Sequence, residues 1–174
     1  ICSDPMIVPY EYELVQIPCF WLYRSVITPP KHPLLRVKPL TLDVLARYPL
    51  ITYGEAFSRR WVVNKTFADK GLSPRIVLSA VDADVSKVYV GMGLGIAIFV
   101  NVAFDPKHDA HLRRIDARHL FKPSQLDLVL RRHSYLRTFV FDFMHMFAPK
   151  IERTHIEETL FRKNAPLTPP SHLP

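Results

Sequence analysis

The chain has 174 residues, enough for one domain or slightly more, and a 48% apolar share with 11% aromatics excludes wholesale disorder. Lysine plus arginine outnumber aspartate plus glutamate 23 to 16, a net charge of +7, which admits an anionic partner without specifying one. Two cysteines, Cys2 and Cys19, exclude a disulfide-rich scaffold and a four-thiolate metal site, and no 18-residue apolar run predicts a membrane span.

Sixteen prolines against five glycines punctuate the chain. Leu22–Thr28 reads as a strand, rich in β-branched and aromatic residues. Four prolines enclose the loop TPPKHPLLRVKP. Thr41 then caps a short helix, LDVLARY, because its hydroxyl can accept an orphan backbone N–H; Pro49 ends it. Leu50–Tyr53 (LITY) is a buried strand. Arg60–Lys70 is a helix stopped by Gly71. Arg75–Ser79 is a strand. Asp82 or Asp84 caps a helix through Val85, Val88 and Tyr89, with Gly93 at its end. Gly95–Val100 and Asp127–Arg131 are strands. Tyr135–Phe147 is an aromatic-rich helix halted before Pro149. Residues 163–174, with four prolines, read as an extended tail. Strands alternating with helices predict an α/β domain built of βαβ units around a mainly parallel sheet.

The chemistry is sparse. Gly91–Gly95 (GMGLG) suggests a dinucleotide loop, but such a loop follows a strand and opens a helix, whereas this one follows a helix. Gly93 reads better as a helix stop. His108, His111 and His119 lie among Asp105, Asp109 and Asp116, which are metal-donor types. The stretch DPKHDAHLRRIDARH reads instead as a polar surface loop with a short strand. Neither Ser58 nor Ser79 sits in a strained nucleophile elbow, and there is no HExxH or phosphate loop. No enzyme, cofactor or metal site is predicted. Ser58, Arg59 and Arg60 follow the strand LITY and open a helix. A hydroxyl, free N–H groups and the positive helix end together suit an anion. Cys2-Ser3-Asp4 places a hydroxyl where a preceding strand would end. Arg131-Arg132-His133 and Arg113-Arg114 read as solvated basic pairs, and no helix-turn-helix pattern appears. No signal peptide is visible, which with the cysteine usage predicts a reducing, cytoplasmic location. The chain opens on Ile1, so further sequence is expected upstream.

Longer segments carry a resemblance. HPLLRVKPLTLDVLARYPLITY (32–53), KGLSPRIVLSAVDADVSKVYVGMGLGIAI (70–98), IDARHLF (115–121) and RRHSYLRTFVFDFMHMFAP (131–149) resemble, in order and at matching spacing, LysR-type transcriptional regulators of the CysB/Cbl branch that controls sulfur assimilation. The resemblance covers about residues 1–152. It implies a type II periplasmic-binding-protein-like LysR substrate-binding domain: two α/β subdomains joined by crossover strands, with an effector in the cleft. Residues 1–17 would be a partial first subdomain, 18–127 a complete second subdomain, 128–151 the crossover strand and helix returning to the first, and 152–174 a tail.

The resemblance also implies site residues and partners. The branch's anion-binding threonine falls on Ser58, and the hydroxyl after its first-subdomain strand falls on Ser3; Arg59 or Arg60 would assist. The effector would be sulfate, thiosulfate, O-acetylserine or N-acetylserine. Gly54-Glu55-Ala56 replaces the branch's glycine-rich stretch and brings a carboxylate near the expected anion. Promoter DNA would be bound only through an N-terminal helix-turn-helix lying upstream of Ile1, and the intact protein would be a homodimer or homotetramer. Two rivals share the fold: a truncated, non-functional remnant and an exported solute-binding protein.

Overall fold

In the computed structural model residues 1, 13–53 and 58–161 are described, without the side chains of residues 58–61. The strands are β1 (Leu14–Leu22), β2 (Arg24–Thr28), β3 (Leu50–Tyr53), β4 (Ile76–Ala80), β5 (Ile96–Val100), β6 (Arg113–Asp116) and β7 (Ser124–Arg131). The helices are α1 (Leu42–Ala46), α2 (Ser58–Ala68), α3 (Ala83–Gly91), α4 (Thr138–Phe147) and α5 (Arg153–Phe161). They form two compact units, Leu22–Pro123 and Ile1–Trp21 with Ser124–Pro174. The chain therefore passes between them twice.

The unit Leu22–Pro123 holds a five-stranded sheet in the order β4-β3-β5-β2-β6. β3 runs parallel to β4 and β5, with Thr52 opposite Ser79 and Ile51 opposite Ala97. β2 runs antiparallel to β5 and β6, with Ile27 opposite Ala97 and Val26 opposite Ile115. The sheet is thus mixed, which corrects the expectation of a mainly parallel one. β2 alone runs against the other four strands, and its antiparallel pairing with both β5 and β6 makes two of the four neighbour pairs antiparallel.

The interior strands β3, β5 and β2 are buried on both faces; β3 and β5 are near-continuous apolar runs for that reason, whereas β2 buries Arg24, Ser25 and Thr28 beside Val26 and Ile27. Alternation sends Val26, Leu50, Ile96 and Ile98 to one core, where Leu45 of α1 and Val63 and Phe67 of α2 meet them. Ile27, Ile51, Ala97 and Phe99 face the opposite core with Val90 of α3. The edge strand β6 presents Arg113, Arg114 and Asp116 to solvent, charges that discourage further strand pairing.

The helix ends follow the sequence closely. Thr41 Oγ1 accepts the Val44 N–H at 3.3 Å, and Asp82 Oδ1 accepts that of Val85 at 2.8 Å. Gly71 and Gly93 both take positive φ, 68° and 80°. Each closes its helix with a six-residue C-terminal turn: Leu72 N–H donates to Phe67 O at 2.9 Å, and Leu94 N–H to Tyr89 O at 3.2 Å. GMGLG is therefore a helix stop ahead of β5.

In the other unit, β1 and β7 form a two-stranded sheet. Val15, Ile17 and Cys19, on one face of β1, pack with Leu128, with Phe141 and Met144 of α4, and with Ile156 and Leu160 of α5. The Arg153 guanidinium lies 4.2 Å from the centroid of the Phe141 ring. α5 corrects the expectation of a tail from residue 152. Ile156 and Leu160 are one turn apart and give it a buried face, and the prolines that dominate the composition start only at Pro166. Residues 162–174 lie outside the described ones.

One close approach sets the spacing of β3 and β5. The Ile96 N–H donates to Pro49 O at 2.9 Å, and a Cβ on Gly95 would stand 2.5 Å from that carbonyl oxygen. Gly95→Ala is expected to destabilise the protein by about 1–3 kcal/mol, because backbone rather than a flexible side chain must move. Urea unfolding checks it; an unchanged midpoint would show that β3 and β5 can separate without cost.

Candidate functional site

The carboxyl ends of β4, β3 and β5 point the same way, and the connections leaving them diverge. The chain after β3 enters α2 on one face of the sheet, and the chain after β4 enters α3 on the other. In open α/β sheets such a divergence leaves a crevice at the carboxyl edge, where ligands bind. Asn101, directly after β5, holds this edge to the start of β2: its N–H donates to Tyr23 O at 2.7 Å, and its Oδ1 accepts the Tyr23 N–H at 3.3 Å.

Ser58, Arg59 and Arg60 form the first turn of α2 at this edge, five residues or more beyond Tyr53. First-turn N–H groups have no partner within the helix and carry the positive end of its dipole. No acidic residue occupies that turn, so no side-chain charge of its own offsets it. The far half of α2 is fixed by Val63 and Phe67 in the core, with Phe67 edge-on to Phe121 at 6.1 Å. The backbone thus brings Ser58, Arg59 and Arg60 together. Ser3 and the Gly54-Glu55-Ala56 stretch lie outside the described residues.

The three histidines of the aspartate-rich loop go to three different places. His108 Nδ1 meets Asp105 Oδ2 at 2.6 Å, the His111 ring lies against Gly91, and His119 Nε2 contacts Leu40 O at 3.0 Å. Among the described residues no group of three metal-donor side chains converges. Cys19 is buried, and its Sγ–H donates to Ile17 O at 3.2 Å. Burial pushes its thiol pKa up, which keeps it in the unreactive form.

Sequence reasoning missed a buried ion pair. Lys87 Nζ lies 3.0 Å from Asp109 Oδ2 and 2.8 Å from Asp84 Oδ1, and it donates to Ala103 O at 3.0 Å. Burial alone would lower the Lys87 pKa, but the two carboxylates outweigh it and hold the ammonium charged. Asp109 Oδ2 also accepts the Asp105 N–H at 2.9 Å. The pair straps the loop after β5 onto α3. No local spacing signals it, because the partners lie 22 residues apart.

The model of the LysR substrate binding domain matches residues 6–151. The chain belongs to this family. CysB of Burkholderia cenocepacia, named an HTH-type transcriptional regulator, is 47% identical over 148 residues, which are 85% of this chain and 47% of CysB. The regulator cbl of Escherichia coli is 40% identical over 134 residues, 77% of this chain and 42% of cbl. The chain thus spans about half the length of these relatives. The solved cofactor-binding domain of the Cbl regulator superposes with a TM-score of 0.78 at 35% identity, covering 92% of this chain and 67% of that one. The CysB/Cbl branch and the type II periplasmic-binding-protein-like fold of LysR effector domains are therefore those of this chain. Among the described residues no helix is long and apolar enough to cross a membrane.

Two histidines in this LysR domain are tuned in opposite directions. His32 Nδ1 accepts the Leu34 N–H at 3.3 Å, and its burial lowers its pKa below 6.5. His108 is raised above 6.5 by its bond to Asp105 and by that charge. The His32 contribution to stability is accordingly present above pH 6.5 and lost as pH falls through and below that value. An NMR titration should place the His32 midpoint below 6.5 and that of His108 above it. The reverse order would mean that these two contacts do not persist in solution.

Proposed function

We propose that this chain is the effector-binding part of a LysR-type, DNA-binding regulator of sulfur and cysteine metabolism. The observation that carries the reading is the 47% identity to CysB across 85% of the chain. The relatives are named transcriptional regulators, which favours binding chemistry with no covalent step. The effector class is a small anion, sulfate or thiosulfate, or an acetylserine whose carboxylate plays the same part. Its place is the first turn of α2, with the Ser58 hydroxyl and the Ser58–Arg60 amides as donors, Arg59 or Arg60 adding charge, and Ser3 a further hydroxyl donor. Glu55, three residues before Ser58 in the sequence, would oppose a dianion more than N-acetylserine, a monoanion, or O-acetylserine, a zwitterion. Promoter DNA would be the partner of an N-terminal helix-turn-helix in the intact protein. Effector binding would shift the balance between two arrangements of the regulator.

Isothermal titration with sulfate, thiosulfate, O-acetylserine and N-acetylserine tests the site. At least one ligand should bind the wild type, and Ser58→Ala should weaken it about fivefold, the worth of one neutral hydrogen bond of ~1 kcal/mol. Equal affinities of wild type and variant for all four would remove Ser58 from the site.

A further inference from the structure

We propose that the sheet edge opposite the candidate site, in the unit Leu22–Pro123, binds the phosphate backbone of duplex DNA without reading its bases. The inference goes beyond the regulator reading, which gives promoter DNA to a helix-turn-helix, and it uses none of the effector residues.

β3, β4 and β5 start at this edge, β2 ends there, and Arg113 opens β6 opposite Thr28. The turns along it are basic. Arg47 lies three residues ahead of β3, Arg75 immediately ahead of β4, Lys31 three residues beyond β2, and Lys70 in the turn from α2 to β4. All four are exposed. Two contacts draw these turns together. The Leu50 N–H donates to Arg75 O at 2.8 Å, and the His32 ring packs on that of Tyr48 with centroids 4.9 Å apart.

The charge of this edge is uncompensated. Among the described residues Lys31, Arg47, Lys70 and Arg75 take part in no ion pair. The Arg113 guanidinium meets only neutral carbonyls, Ala110 O at 2.9 Å and Leu112 O at 2.7 Å, and so keeps its field. Of the acids nearby, Asp69 is engaged by Lys65 at 3.4 Å, and Asp43 stands one turn before Arg47. At the carboxyl edge, by contrast, Lys87 is matched by Asp84 and Asp109, and Arg118 by Asp116 at 2.7 Å. Helix dipoles explain little of the asymmetry. The carboxyl end of α2 suits Lys65 and Lys70, but α1 has only five residues, and Lys31 and Arg75 lie on no helix. Like charges left together repel, and a polyanion removes that cost.

Shape and composition select duplex DNA as that polyanion. Strands about 4.8 Å apart make the edge from β4 to β6 about 19 Å wide. That equals the rise of about six base pairs, so the cations can follow successive phosphates. Between the cations, the exposed residues of these turns include Pro30, Pro33, Gly71 and Ser73. They offer none of the aromatic anchors on which protein interfaces depend. No helix projects from these turns to enter a groove, which leaves the contact to phosphates alone. The named relatives are HTH-type transcriptional regulators, molecules that work on DNA.

Fluorescence anisotropy of the chain as it stands, with a labelled duplex of about 20 base pairs, tests this. Binding should weaken on the order of 100-fold between about 50 and 200 mM salt, as four phosphate contacts require. Two duplexes of unrelated sequence should bind alike. Arg47→Glu with Arg75→Glu should bind about tenfold more weakly at the lower salt, and its salt slope should fall by about 2. Lys31→Gln with Lys70→Gln, which only removes charge, should lower the slope equally and serves if the first pair disturbs folding. Arg137→Glu with Lys150→Glu makes the same change in net charge on the other unit and should bind as the wild type does. No binding at the lower salt would overturn the proposal, as would equal losses from the two glutamate pairs. Polyglutamate of matching length binding as tightly as the duplex would overturn it too, since that outcome gives the edge to an acidic protein.

Discussion

Three strands buried on both faces are the constraint from which the rest of the larger unit follows. Val26 and Ile27 of β2, Leu50 and Ile51 of β3, and Ile96 to Phe99 of β5 set apolar side chains on both faces, so neither face of the central sheet can be left in water. One side must be covered by α1 and α2 and the other by α3. A chain that runs β3–α2–β4–α3–β5 satisfies this only if its two crossovers take opposite faces. That divergence sets the first turn of α2 at the carboxyl ends of the strands, the edge at which open α/β sheets bind ligands. The candidate site is thus a by-product of covering two cores, and it is built chiefly from backbone. Its positive potential comes from peptide dipoles that β3 and the Phe67 anchor hold in place.

Much of this was legible in the sequence because the signals were local. Leu50–Tyr53 reads as a strand from four consecutive apolar or β-branched residues between Pro49 and Gly54. Thr41, Asp82, Gly71 and Gly93 mark helix ends through chemistry confined to three or four neighbours. The mixed direction of the sheet was not legible, because β2 and β6 pair with strands far along the chain and no local residue records which neighbour they choose. α5 escaped because Ile156 and Leu160 are its only two buried apolar positions, in a polar segment, and need β1 and α4 beside them to count as a core face. Of the candidate site, Ser58, Arg59 and Arg60 emerged from the strand-to-helix junction, which is a local feature. The strapping of the loop after β5 by Lys87 and Asp109 did not, since it depends on a crossing that only the folded chain makes.

The inner lysine and outer valines of α3 reverse the usual economy of a surface helix, and the reversal has a physical logic. A buried lysine and aspartate lose hydration that their attraction only partly recovers, so the pair is poor evidence of added stability. Its effect is on position. Asp109 is held by Lys87 and by the Asp105 N–H, and Lys87 also donates to Ala103 O. Three separate points of the loop after β5 are therefore referenced to one ammonium group on α3. The loop cannot drift without uncovering a charge, so the His111–Arg113 turn stays at the carboxyl end of the helix.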